Sequence, residues 1–195
     1  MTEHEIFEEI IESSRLCYDR GLVTALGGNV SVKYDDKIYI TATNVALNRV
    51  TPDNIVICDL DGNPLPDCKC KLKPSKEIIT HVQMYRLRPQ AKSVVHVHPP
   101  YIVAFTLKNQ PIPMVTGTAR AKVKEIPVIK FATSSSPALL KYMEETIVPA
   151  AEDIHTFAMA EHGSIAWDES AYLAFCDTEV AEDTARIAYL AGYLN

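Results

Sequence analysis

The sequence predicts a mixed α/β fold in which helices cover a largely antiparallel sheet. Three observations lead there. Segments with apolar residues at helical spacing alternate with short β-branched runs. The early runs are joined by tight turns of the kind that close hairpins rather than by crossover helices. And 47% of the 195 residues are hydrophobic, enough for one domain with a sizeable core.

Taken in order, Ile6, Phe7, Ile10, Ile11, Ser14 and Cys17 share one stripe, so residues 3–20 should form a helix ending near Gly21. "NVSVKYDDKIYITAT" reads as two strands around an Asp35-Asp36 turn, and "NIVICDLDGNPL" as a third strand followed by an Asp-Gly turn. "DGNPLPDCKCKLKP" is polar and proline-containing, the one long loop. Residues 75–88 suit a helix with Ile78, Ile79, Val82 and Tyr85 as its stripe, and Ser75 as a candidate cap. "SVVHVH" is a strand, Tyr101 to Leu107 a helix, and "EIPVIKFA" another strand. "SSPALLKYMEETI" should be a helix with Ser136 as N-cap and Pro137 at its first position. "TFAMAEHGSIAW" reads as a strand pair or one bent strand broken at Gly163, and residues 169–190 close the chain as an amphipathic helix. With no internal repeat, low-complexity tract or linker, residues 1–195 are expected to form a single domain.

Composition narrows the partners. A formal net charge of −6 argues against a nucleic-acid or anionic-membrane surface, though not against a small anionic substrate. No apolar run approaches the roughly 20 residues of a membrane span. The acidic, amphipathic start "MTEHEIFEEIIESS" does not read as a signal peptide, and five cysteines without disulfide spacing point to reduced thiols and a cytoplasmic setting. Cys68 and Cys70 form a lone C-x-C, expected to bind nothing without a second pair.

The chemistry concentrates on histidine. In a strand, residues i and i+2 point to one face, so His96 and His98 project side by side while Val95 and Val97 face the other way. A separation of roughly 6.5–7 Å along the strand lets two imidazoles converge on one cation. A pair of hydrogen-bonded strand-end histidines would look the same. Of the other four histidines, His4 sits on an exposed helix, His81 is placed for packing or for supporting a neighbour, and His155 leads into the strand before His162. His162 precedes Gly163, where the backbone can turn sharply, and is the better third ligand by context. "KPSKE" is ambiguous in the same way. Ser75 and Glu77 suit a helix start, yet the same geometry offers N–H groups to an anion and a carboxylate to a metal. In "LGGNVS", Gly27 and Gly28 permit close backbone approach and Asn29 can donate to a phosphate, but no P-loop lysine follows.

Read together, "GLVTALGGNVSV", "YITATN", "KPSKEIITHVQMYRLRPQAKSVVHVHPPYIVAF" and "AEHGSIAW" resemble the class II aldolase/adducin family, with fuculose-phosphate aldolases sharing the pattern in order over nearly the whole chain. The combination of P-S-x-E, H-x-H-P and H-G-x-x-A-W carries the resemblance. It implies a three-layer αβα sandwich, a homotetramer with the active site near a subunit interface, and one zinc ion per subunit held by His96, His98, His162 and Glu77. It implies a phosphate pocket at Gly28, Asn29, Thr43, Asn44, Ser75 and Lys76, for a small phosphorylated sugar. Glu77 would act as acid/base while zinc stabilises an enediolate as a carbon–carbon bond breaks. Other readings within the fold are a sugar-phosphate 4-epimerase or dehydratase, and a non-catalytic module like the adducin head. Three departures stand out: Lys76 replaces a serine of P-S-S-E, Asn44 stands where relatives often carry Gly, and no tyrosine falls between positions 102 and 141 to serve as proton donor to the aldehyde. The short stretch after the last helix also lacks a longer substrate-covering tail.

Overall fold

Hydrophobic side chains leave both faces of one sheet, so both faces must be covered, and helices do it. The structure, a computed structural model, describes residues 1–194. Seven strands, β1 (Asn29–Tyr34), β2 (Lys37–Thr41), β3 (Ile55–Cys58), β4 (Ser93–Val97), β5 (Val128–Ile129), β6 (Thr156–Met159) and β7 (Gly163–Asp168), lie in the order β3-β2-β1-β4-β7-β6-β5. All neighbouring pairs are antiparallel except β5 with β6.

Six helices form the outer layers: α1 (Glu3–Asp19), α2 (Ile78–Leu87), α3 (Pro100–Leu107), α4 (Gly117–Lys122), α5 (Pro137–Ile147) and α6 (Ala171–Leu190). Alternation along the strands assigns them to faces. Val94 of β4, with Ile165 and Trp167 of β7, packs with Val82 and Met84 of α2 and Leu139 and Met143 of α5. Val30 and Val32 of β1 and Val95 and Val97 of β4 point the other way, against Ile6 and Ile10 of α1 and Ala174 and Phe175 of α6. Helices α3 and α4 complete that second face against the alanine stripe Ala181, Ala185 and Ala188 of α6. Helix and sheet thus stack in the predicted three layers.

Most elements fall where the sequence places them, and their caps explain why. Thr2 and Glu5 close a reciprocal capping box at the start of α1, and Ser136 accepts from the Leu139 N–H at the start of α5. Four differences have physical causes. Helix α2 begins at Ile78, not at residue 75: Ser75 is tied to β2 by its N–H to the Thr41 carbonyl at 3.1 Å, and the Ile78 N–H returns to the Ser75 carbonyl in a separate turn. Ser75 therefore caps no helix; its hydroxyl accepts from the Glu77 N–H in a preceding turn. The "EIPVIKFA" strand shrinks to two residues, Val128–Ile129, since Pro127 has no N–H for a ladder. Helix α4 was not anticipated; Thr116 caps it within a stretch that has no apolar periodicity. Finally, the polar loop after β3, which has no apolar pattern, is pinned by Cys68 and Cys70, two buried free thiols packed in the core. Asn44 has φ of +61°, a left-handed conformation that Gly adopts freely and Asn better than most.

At the far end of β7 from His162, His155 donates to Asp168 at 2.9 Å and faces Asp177 of α6 at 3.2 Å. Its pKa is raised to about 9, chiefly by those hydrogen bonds and against partial burial. A raised pKa contributes stability that is complete below the ordinary value of 6.5 and lost as pH climbs through about 9. Between those limits the wild type should lose about 1–2 kcal/mol relative to His155→Gln, after discounting for solvent screening. Denaturant unfolding of both proteins at pH 6 and pH 9.5 measures this; parallel pH profiles would show that the ion pair is energetically silent.

Candidate active site

Three segments of the chain deliver the predicted metal-binding side chains to one point. Strand β4 supplies His96, and His98 follows one residue beyond its end, where its N–H donates to the Leu22 carbonyl at 2.9 Å. His162 comes from the β6–β7 turn, with its N–H bonded to the Met159 carbonyl. Glu77 sits at the entry to α2, in a non-helical backbone conformation that frees its side chain to turn inward. Their ligand-capable atoms lie within 4.8 Å of one another. The three ring centroids are 4.8–5.0 Å apart.

Glycine makes the convergence possible. A Cβ at Gly163 would lie 2.2 Å from the Val97 carbonyl oxygen, and one at Gly27 would lie 2.7 Å from His98 Nδ1. Both positions let backbone run where any side chain would displace a strand or a ring.

Hydrogen bonds orient each donor. His96 Nδ1 donates to the Ser164 carbonyl at 2.8 Å, which turns Nε2 toward Glu77 Oε2 at 2.9 Å and His98 Nε2 at 3.1 Å. Glu77 Oε1 lies 3.5 Å from His162 Nε2. Oε2 accepts from the Asn29 amide at 2.9 Å, and Oε1 from the Ser134 hydroxyl at 2.5 Å. Burial would raise the Glu77 pKa, but the neighbouring His96 charge and these donors outweigh it and hold the carboxyl well below its usual range. Burial likewise disfavours a charge on His96, yet Glu77 overrides it and the pKa rises. His98 is pushed down to about 4 and His162 is also lowered, first by burial and then by the charge on His96. Two of the three imidazoles are thereby neutral at pH 7, with lone pairs to offer.

Beside this cluster opens a cavity of about 380 Å³. Gly28, Asn29, Thr43, Asn44, Ser75 and Lys76 line it together with Glu77, His98 and Ser134. Every residue predicted for anion binding therefore shares one cavity with part of the metal cluster. Within it Asn29 is 4% exposed and its amide is occupied by Glu77 and by His81. His4 lies on the exposed start of α1, and His155 lies elsewhere on the sheet, as described. Two participants escaped the sequence reading. Ser134 contacts Glu77, and Ser135 donates to the Lys76 carbonyl at 2.8 Å. Their only sequence signal is the "SSS" run before Pro137, in which helix capping accounts for Ser136 alone.

Comparison with known proteins gives the family. The sequence profile of the Class II Aldolase and Adducin N-terminal domain matches residues 8–189. The chain is 33% identical to an L-fuculose phosphate aldolase of Methanococcus maripaludis over 95% of its own length and 97% of that protein. It is 28% identical to a 3-oxo-tetronate 4-phosphate decarboxylase of Haemophilus influenzae, over 97% of this chain and 89% of the other. Among solved structures, YgbL of Klebsiella pneumoniae, named as aldolase/epimerase/decarboxylase without a choice among the three, superposes with a TM-score of 0.86 at 26% identity, covering 100% of this chain and 93% of that one. The chain belongs to the class II aldolase/adducin family.

Proposed function

We propose that this protein is a zinc-dependent aldolase, one domain per active site, that cleaves or forms a carbon–carbon bond of a phosphorylated ketose. The observation that carries the reading is the meeting of three imidazoles and one carboxylate at the edge of a cavity bearing glycine N–H groups, hydroxyls and a lysine. Class II aldolases are metal-dependent, and this donor set suits zinc, which takes nitrogen and carboxylate oxygen in a tetrahedral shell. Orientation of His96 by the Ser164 carbonyl is the kind of support that metal-binding imidazoles need. His96, His98, His162 and Glu77 would hold the ion, which when bound supplies Lewis-acid stabilisation of charge developing on the substrate's oxygens.

The remaining chemistry falls to the chain itself. Gly28, Thr43, Asn44, Ser75 and Lys76 would hold the phosphate in the cavity. In bond formation Glu77 takes the proton from the donor ketone's reacting carbon; in cleavage it returns that proton. Exposed apolar side chains along α6, including Leu173, Ile187 and Leu190, support association into a homo-oligomer, by family resemblance a tetramer. The absence of a span-length apolar helix among the described residues is compatible with a cytoplasmic enzyme.

A second reading has its own support: decarboxylation of a phosphorylated 3-oxo acid, as the Haemophilus influenzae relative's name describes. Loss of CO₂ needs no group to take the hydroxyl proton as an aldehyde departs, which fits the lack of tyrosine between 102 and 141. Lys76 on the cavity wall would then face a carboxylate or a phosphate equally well. Product analysis over a panel of phosphorylated ketoses and 3-oxo acid phosphates separates the two, because one releases an aldehyde and the other CO₂.

Three outcomes are expected. His96→Ala and His98→Ala should each lose most bound metal by elemental analysis; full retention by either would mean the cluster does not hold it. Glu77→Gln should fold and, at saturating zinc, stay loaded, while turnover drops about 10²–10⁴-fold. Hydrogen exchange at the donor carbon should drop with it, and normal exchange would reject Glu77 as the base. Lys76→Ser removes a charge-assisted contact of about 1.5–3 kcal/mol and should raise KM more than it lowers kcat. An unchanged KM for every phosphorylated substrate would turn Lys76 away from the anion.

A further inference from the structure

Behind Glu77 a line of hydrogen bonds runs into the core between β1 and α2. Asn29 Nδ2 donates to Glu77 Oε2 at 2.9 Å, and Asn29 Oδ1 lies 2.5 Å from His81 Nε2. His81 Nδ1 lies 2.7 Å from the Ser31 hydroxyl, which in turn lies 2.7 Å from the Tyr85 hydroxyl. Ser31 and His81 are completely buried, so water cannot exchange for either partner. Each bond alone could run in either direction, but the ends of the line leave no choice. An ionised carboxylate only accepts, so the Asn29 amide must present its nitrogen to Glu77 and its oxygen to His81. His81 must then carry its proton on Nε2 and accept at Nδ1 from Ser31. At the other end the Tyr85 hydroxyl has Ser31 as its one hydrogen-bond partner among the described residues, and a buried O–H must donate. Both ends impose the same direction.

We propose that Tyr85, Ser31 and His81 form a one-way donor line that fixes the Asn29 amide with its nitrogen toward Glu77. Asn29 and His81 are thereby positioning residues for the acid/base carboxylate. If the amide were turned over, its oxygen would face a carboxylate oxygen across about 2.9 Å with no proton between them. That clash would push Glu77 out of the cluster of imidazoles. The inference rests on the reading of Glu77 and the three histidines as the zinc site.

The test is zinc affinity, measured by chelator competition on the full-length protein, with inorganic phosphate binding measured alongside. His81→Phe keeps a ring in the core but removes the donor to Asn29. Ser31→Ala removes one oxygen and carries the test alone if His81→Phe does not fold. Zinc affinity should fall about 10–100-fold in His81→Phe, and in the same direction by less in Ser31→Ala. Inorganic phosphate binding should be unchanged in both. In a Glu77→Gln background neither change should weaken zinc further, because the group they position is already gone. Additive losses in that double-mutant cycle, or loss of phosphate binding with zinc affinity intact, would overturn the proposal. A wild-type protein that takes up no zinc would instead overturn the zinc-site reading, and the proposal with it, before any variant is compared.

Discussion

A carboxylate enclosed by protein must be met by donors on both oxygens, or it will not stay charged. Glu77 meets that condition with Asn29 and His96 on Oε2 and Ser134 on Oε1. Much of the local architecture follows from it. The turn at Ser75 delays the start of α2 so that Glu77 stays outside the helix and can reach inward. The loop before α5 must approach closely enough for Ser134 to donate, and Ser135 ties the same loop to the Lys76 carbonyl. Antiparallel pairing of Asn29 with His96 sets two of the partners on adjacent strands, side by side on the α2 face.

The sheet order explains why that face is available. Strand β4 lies between β1 and β7, so residues projecting from it on one side find β1 donors on one flank and the β6–β7 turn on the other. The opposite side of β4 sets Val95 and Val97 against α1 and α6. One strand thus serves that core through Val95 and Val97 and the site through His96, with His98 continuing the same alternation past the strand's end.

How much of this was legible in the sequence depends on the range of the rule involved. The side-by-side projection of His96 and His98 follows from strand periodicity alone, and their place before two prolines marks the strand's end. Most helices and strands were readable for the same reason, since caps and periodicity act over a few residues. Glu77 could be named but not placed, because its helix position depends on a bond from Ser75 to Thr41 on a different element. Ser134 could not be found at all: nothing local connects it to a carboxylate 57 positions earlier. The line through Ser31 and His81 was hidden likewise, since its partners are 50 residues apart and the histidine looks, in sequence, like ordinary helix filling.

The same long separations bear on the order in which the molecule is made. Asn29 meets Glu77 across 48 residues, and His96 meets the Ser164 carbonyl across 68. No short segment contains more than the H-x-H pair, so a nascent chain has no pocket in which to trap an ion. Closing such loops costs entropy that only the docked strands β1, β4 and β7 repay. An ion bound at this cluster would therefore meet a finished sheet rather than a nascent chain, and would lock it by drawing the native state down by mass action.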